Sequence, residues 1–366
     1  MQKTSTTPKN TKNLSTLILC LVLLLATTSC QSSRGQLNTI STSNPTALSQ
    51  TETIPYPTST STKVPVASPL PTPSTFNGEQ AYQDAIYQLD LGPRTPGSQA
   101  HQQVEDWIST ELEKAGWQVE KQQTTYAGQP VHNIIGKWGS GTPWVVIGAH
   151  YDSRLQADQD PDPAKRTQPV PGANDGASGV AVLLELARTL PGQMTLKQTG
   201  DLSTEIDPQS RQIWLVFLDS EDNGDIRGWD WLLGSRAFVE NLKDKPDAAV
   251  IIDMIGDKDL NIFYETNSNQ IMNQEIWAQA ASLGYQKQFI PVSKYPMLDD
   301  HIPFIEAGIP AVDIIDFDYP YWHTTEDTAD KISASSLKAV GDTLTAWLQN
   351  GSKIFNQDVQ TGYPTP

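Results

Sequence analysis

Trp144-Val145-Val146-Ile147-Gly148-Ala149-His150-Tyr151-Asp152 is a short apolar run that ends on a histidine and, two positions later, a carboxylate. A continuous apolar run of this length between polar flanks reads as a strand covered on both faces. The same pattern recurs along the chain. Ile213 to Leu218 runs into Glu221 and Asp222, Ala248 to Ile252 runs into Asp253, and Ile309 to Ile315 leads through a short loop to His323. Ligands of open α/β sheets bind outside the carboxyl ends of the strands, so four ends carrying His and acidic residues predict one assembled site. Those residue types point to a metal ion.

Outward from these strands the pattern alternates. Helical spacing covers Glu79 to Leu91 and Gln99 to Ala115, the latter with Val104, Ile108 and Leu112 on one stripe and Gly116 as its stop. Val131 to Trp138 reads as a strand joined to Trp144–Ala149 by a Gly-Ser-Gly-Thr turn. Further helices are predicted over Asp175 to Leu190, Gly234 to Leu242, Gln270 to Leu283, Ile302 to Glu306 and Ser333 to Gln349. Strands alternating with helices predict a three-layer αβα sandwich around a mostly parallel or mixed sheet.

The first part of the chain reads differently. Lys3, Lys9 and Lys12 precede an apolar stretch from Leu14 to Ala26, too short for the ~20 residues of a membrane-spanning helix, and small residues follow up to Cys30. Residues 1–30 are therefore read as an export signal. Thr27-Thr28-Ser29-Cys30 resembles the lipobox of bacterial lipoproteins, with Thr27 where Leu is usual. A bacterial cell-envelope location is expected, lipid-anchored through Cys30 or else secreted or periplasmic. Residues 31–76, dense in Ser, Thr and Pro, read as a disordered tether, residues 77–350 as the catalytic domain and 351–366 as a flexible tail.

Two cysteines, Cys20 and Cys30, are the whole complement. The globular part therefore has neither a disulfide nor a thiolate ligand, and a metal there must be held by His and carboxylates. A formal charge of −17 gives no basic face for phosphates and excludes a general nucleic-acid binder.

Each candidate has an ordinary alternative when taken alone. His150 and Asp152 are either two ligands, a ligand with its orienting partner, or a turn histidine beside a cap. Asp175, in Gly172-Ala-Asn-Asp175-Gly-Ala-Ser-Gly179, suits a helix N-cap as well as a metal ligand, and its glycines permit close backbone approach to a bound group. Glu221 and Asp222 are neighbours, which favours separate roles: one on a metal, the other carrying a proton beside it. His101 and His132 look ordinary.

Together, His150-Tyr-Asp152-Ser, Gly172-Ala-Asn-Asp175, Phe217-Leu-Asp-Ser-Glu221-Asp222, Gly234-Ser-Arg236, Asp253-Met-Ile-Gly256, Asp299-Asp-His-Ile-Pro-Phe304 and Trp322-His323-Thr324 resemble the zinc aminopeptidase and glutaminyl cyclase superfamily. The likeness spans about Arg94 to Leu348. Within it the chain is more similar to glutaminyl-peptide cyclotransferases, acyltransferases that convert N-terminal Gln to pyroglutamate and release ammonia. Asp299 stands where the peptidases commonly have Ser. Glu221-Asp222 replaces Glu-Glu, and Gly228-Trp229-Asp230-Trp231 resembles the Trp-rich segment of bacterial cyclases. The disulfide of the animal enzymes is impossible, since its positions match Ala149 and Val180.

This resemblance implies one zinc held by Asp175, Asp222 and His323, with Glu221 as general acid and base. Asp253 and Asp299 would hydrogen-bond the nitrogens in transit, and Trp322 with Trp229 or Trp231 would wall the glutamine pocket. The implied partner is a peptide or protein N-terminus; the oligomeric state is not legible. The alternative is a two-zinc aminopeptidase, with His150 and Asp253 completing a second site bridged by Asp175. A non-catalytic envelope binding domain is a third reading.

Overall fold

The computed structural model describes residues 75–199, 211–226 and 228–352. The stretch read as an export signal, the proposed lipid-anchor residue Cys30, nearly all of the expected tether and most of the expected tail lie outside the described residues. Phe76, read as the last tether residue, is instead buried in the main core. Its ring lies where a Cβ on Gly341 would fall.

Eight strands are described: β1 (Gln118–Tyr126), β2 (Gln129–Gly139), β3 (Trp144–His150), β4 (Gln212–Leu218), β5 (Ala248–Asp253), β6 (Ile262–Tyr264), β7 (Phe289–Ser293) and β8 (Ala311–Ile315). Six of them form one sheet in the order β1-β2-β4-β3-β5-β8. The core β4-β3-β5-β8 is parallel and β1 and β2 are antiparallel additions, which gives the mixed sheet the sequence predicts. Side chains alternate across it. Val145, Ile147, Val250 and Ile252 enter one core with α1 (Gly78–Asp90), α2 (Gln99–Lys114), α3 (Ala177–Thr199), α5 (Gln270–Ser282) and α7 (Ala334–Asn350). Val146, Val216, Ala249 and Ile251 pack on the other side with Phe238 of α4 (Leu233–Glu240) and Phe304 of α6 (His301–Glu306). Each unbroken apolar run is thus two interleaved faces, both covered.

Register decides where the site forms. His150 pairs with Leu218, and Asp253 with Ile315, so the strands end at one level. The chain leaves β3 for β4 on one side and later adds β5 on the other, so the crevice beyond β3 is a topological switch point. The third glycine of the Gly172–Gly179 segment lets α3 lie close on this sheet: a Cβ on Gly179 would fall 2.8 Å from both the Ala149 Cβ and the Ile252 carbonyl oxygen.

Two differences from the sequence reading have clear causes. The α3 helix does not stop at Leu190 but continues through Pro191 to Thr199. Proline has no N–H for the carbonyl four residues back, yet that carbonyl, on Ala187, accepts a 2.8 Å bond from the Trp117 indole. The polar strand β1 and the small β6-β7 pair lack an apolar alternation, and pairing with neighbours rather than local pattern makes them strands.

Candidate active site

The loops after the strands bring the predicted residues together. Asp175 sits in the turn before α3, but its carboxylate does not close that helix. Its Oδ1 lies 3.2 Å from His150 Nε2, and its Oδ2 lies 3.8 Å from His323 Nε2 with no hydrogen-bond partner. The turn is held from behind by Asp327, which accepts the backbone N–H groups of Asn174 and Asp175 and the Tyr319 hydroxyl. Arg94, fully buried, donates to the carbonyls of Tyr151, Pro171 and Gly172. Glycine is required at 176 for a different reason from the one expected. It has φ +94°, and a Cβ there would sit 2.7 Å from the Asp152 carbonyl oxygen, so it accommodates the neighbouring loop rather than a ligand.

Asp152 proves to be an organiser. Its carboxylate accepts the N–H groups of Glu221 and Asp222 and the Asn223 amide, and lies 3.4 Å from His150 Nδ1. That fixes the loop after β4, where Ser220 takes the left-handed φ of +54°. Met254 (+46°) and His323 (+55°) do likewise, so three non-glycine residues beside the site hold costly backbone angles. Both neighbouring acids thereby face one crevice: Asp222 Oδ1 is 2.7 Å from His323 Nε2, and Glu221 Oε2 is 4.0 Å from His150 Nδ1.

Two overlapping groups of ligand atoms result, Asp175, Asp222, His323 and His150, Asp175, Asp253, each with its atoms within 4.8 Å of one another. Asp175 belongs to both. The residues fit a cation on physical grounds. Asp175 Oδ2 and Asp222 Oδ2 are buried without hydrogen-bond partners, and burial together with the Asp175 charge pushes the Asp222 carboxyl up to about 6. Burial also raises Asp253 to about 7 against the pull of His150. Burial opposes charge on His150, but Asp253, Asp152 and Asp175 outweigh it and hold its ring protonated well above the ordinary range.

Above this acidic floor lies a cavity of about 250 Å³. Glu221 and Asp299 reach it from opposite loops; burial raises both, and the charges of Asp222 and Asp299 push Glu221 further. The wall is Trp231, Trp322, Phe317, Ile315, Met254, Met297 and Leu298. Trp322 stacks on the His323 ring at 3.6 Å, and Trp231 lies nearly parallel to it at 6.1 Å. Trp231 reaches this position across Gly224, where any Cβ would enter its ring.

Trp229 does not wall this pocket. It packs with Val131, Leu233 and Ala237 and faces a separate hollow beside His101 and His132. Positions 229 and 231 fall in an irregular loop between a turn and the start of α4, so spacing alone does not assign their directions. Sequence reading also passed over a buried group behind Asp299: His301 lies 3.1 Å from Glu265 and 3.6 Å from Asp313, whose carboxylate oxygens have no hydrogen-bond partner. Burial and Asp299 drive the Asp313 carboxyl well up.

The model of peptidase family M28 matches residues 133–348, and the chain belongs to this family. Among solved structures, Tannerella forsythia glutaminyl cyclase is 32% identical with a TM-score of 0.66, covering 78% of this chain and 100% of that one. A Zn-dependent exopeptidase from Parabacteroides distasonis is likewise 32% identical, with a TM-score of 0.67 and coverage of 78% and 100%. The glutaminyl-peptide cyclotransferase of Boiga dendrophila is 27% identical over 299 residues, 71% of this chain and 78% of that protein. Family and neighbours imply zinc.

Proposed function

We propose that the chain is a zinc-dependent glutaminyl-peptide cyclotransferase, an acyltransferase that closes N-terminal Gln of peptides to pyroglutamate and releases ammonia. The observation that carries this reading is Asp299, a buried carboxylate in the same cavity as Glu221 and Asp253, in a chain similar to a bacterial glutaminyl cyclase over that protein's whole length. Asp175, Asp222 and His323 would hold one zinc. Bound there, the metal supplies Lewis-acid polarisation of the γ-carboxamide carbonyl.

The remaining work falls to side chains. Glu221, whose carboxyl burial raises well above its ordinary range, takes a proton from the attacking α-amine and returns it to the departing nitrogen. A bond forms between the α-nitrogen and the γ-carbonyl carbon, and the bond from that carbon to the amide nitrogen breaks, so one ammonia leaves per ring closed. Asp253 and Asp299 hold the two nitrogens in reach of Glu221. Trp231, Trp322 and Phe317 close the pocket around the glutamine side chain and exclude the water that would otherwise compete.

The second reading, a two-zinc aminopeptidase, is favoured by one observation: His150, Asp175 and Asp253 form a further cluster of ligand atoms. The two are separated by supplying Gln dipeptides and Leu-arylamide, measuring ammonia and arylamine, and counting zinc per chain. Ammonia without arylamine at one zinc supports cyclisation; arylamine at two zincs replaces it with hydrolysis. Export and a lipid on Cys30 belong to the same proposal, and Cys30→Ala should release the chain from a membrane fraction that retains the unaltered one.

A further inference from the structure

The loop that follows β3 contains an acid that neither the metal groups nor the acid–base residues use. Asp158 lies 3.6 Å, through Oδ1, from His323 Nδ1. That nitrogen is the ring atom facing away from Asp175 and Asp222, and it is buried with no hydrogen-bond partner. Arg154, itself only 2% exposed, grips Asp158 with both arms of its guanidinium, Nε to Oδ1 at 2.8 Å and Nη2 to Oδ2 at 3.0 Å. The same guanidinium donates to the Asp222 and Gly224 carbonyls and lies 4.9 Å over the Trp231 ring.

The loop is also pinned to the His323 segment by backbone. Gln159 N–H donates to the His323 carbonyl, and Asp160 accepts both the N–H and the hydroxyl of Thr325. Asp158 therefore cannot drift from the ring. The two-point contact with the Arg154 guanidinium pairs this carboxylate with a cation and leaves its Oδ1 beside the ring nitrogen as an acceptor. A metal-bound imidazole generally donates its second N–H to a carboxylate or carbonyl, which fixes the tautomer and strengthens the donor nitrogen.

We infer that Asp158, held by Arg154, is the positioning carboxylate for His323: it accepts the Nδ1–H so that Nε2 faces the metal, and the same arginine ties this contact to Asp222 and Trp231. The inference rests on zinc at Asp175, Asp222 and His323, which the cyclase and aminopeptidase readings share, and not on which reaction follows.

The test is metal affinity in the full-length protein, measured by competition with a chromophoric chelator for Zn²⁺ and by the visible spectrum of the Co²⁺ form. Asp158→Asn keeps an acceptor for Arg154 but loses the charge; Asp158→Ala loses both. Zinc affinity should fall about 10- to 100-fold in Asp158→Ala and less in Asp158→Asn, with an altered Co²⁺ spectrum in both and the melting point of the metal-free protein preserved in Asp158→Asn. Wild-type affinity and an unaltered Co²⁺ spectrum in Asp158→Ala would overturn the inference. So would affinity lost only in step with the stability of the metal-free fold. Failure of the unaltered protein to bind zinc with His323-dependent affinity would instead sink the metal assignment itself.

Discussion

Replacing Glu221 by Gln tests the proposed chemistry without removing a proposed ligand. The residue is 8% exposed, and its Oε2 lies 4.0 Å from His150 Nδ1, outside the group formed by Asp175, Asp222 and His323. Gln has the same shape and keeps one carbonyl oxygen, but it cannot carry a proton between two nitrogens. A general acid–base residue contributes about 10²- to 10⁴-fold to rate, equivalent to about 3–5 kcal/mol of barrier. Because that proton moves only in the transition state, kcat and kcat/KM should fall together by this factor while KM changes by less than about threefold. Zinc content should be unchanged. Stability of the metal-free fold should not drop, because the substitution removes a charge that burial and the neighbouring Asp222, Asp299 and Asp300 disfavour. The assay is ammonia release from a Gln dipeptide, with zinc content and thermal melting on the same preparation. A folded, zinc-loaded Glu221→Gln protein turning over within threefold of the unaltered enzyme would refute the assignment.

Metal removal should give a characteristic pH dependence. Asp222 and Asp253 are held at about 6 and about 7 in the fold against 3.8 ordinarily, so their contribution is present at low pH and lost as pH rises through 4 to 7. The chelated protein should melt lower at pH 7.5 than at pH 5, and the gain from added zinc should be larger at pH 7.5; a chelated melting point that rises over this range contradicts the account. Trp231→Ala should lower kcat/KM for a Gln dipeptide about 10- to 100-fold, whereas Trp229→Ala, which faces the other hollow, should stay within about threefold, and equal losses would return Trp229 to the pocket. Asp327→Ala leaves the N–H groups of Asn174 and Asp175 and the Tyr319 hydroxyl without their acceptor, and should cost about 3 kcal/mol in urea unfolding together with a loss of zinc affinity. A cost under about 1 kcal/mol would show that the Asn174-Asp175 turn holds itself.

What could be read from sequence divides along a physical line. Strands β3, β4 and β5 are legible because each is a nearly continuous apolar run, and β8 because Ala311, Val312, Ile314 and Ile315 flank a single acid, Asp313; their carboxyl ends are legible because burial makes charged residues there conspicuous. Asp175, Glu221, Asp222, Asp253, Asp299 and His323 all reach one cavity. The strands that were missed, β1, β6 and β7, are short or polar and take their form from partners. Trp229 and Trp231 separate because a loop has no fixed period, and Gly224, by lacking a Cβ, leaves room for the Trp231 indole.

The supporting residues share a different obscurity. Arg94, Asp152, Arg154 and Asp327 all act on backbone groups: carbonyls of Tyr151 and Pro171 for Arg94, N–H groups of Glu221 and Asp222 for Asp152, the Asp222 carbonyl for Arg154, and N–H groups of Asn174 and Asp175 for Asp327. Backbone groups are present at every position, so such contacts leave no mark in residue type or spacing, and Asp152 alone of the four is conspicuous, through its place two residues after His150. The loops they hold include Ser220 and His323 in left-handed conformations that would relax if released. The acids at the strand ends can therefore be read as candidates from sequence, while their convergence depends on charged residues whose only signature is burial in a loop. Substituting these supports should consequently weaken metal binding without touching a ligand, which makes Asp152 and Asp327, more than the ligands themselves, the positions at which fold and site fail together.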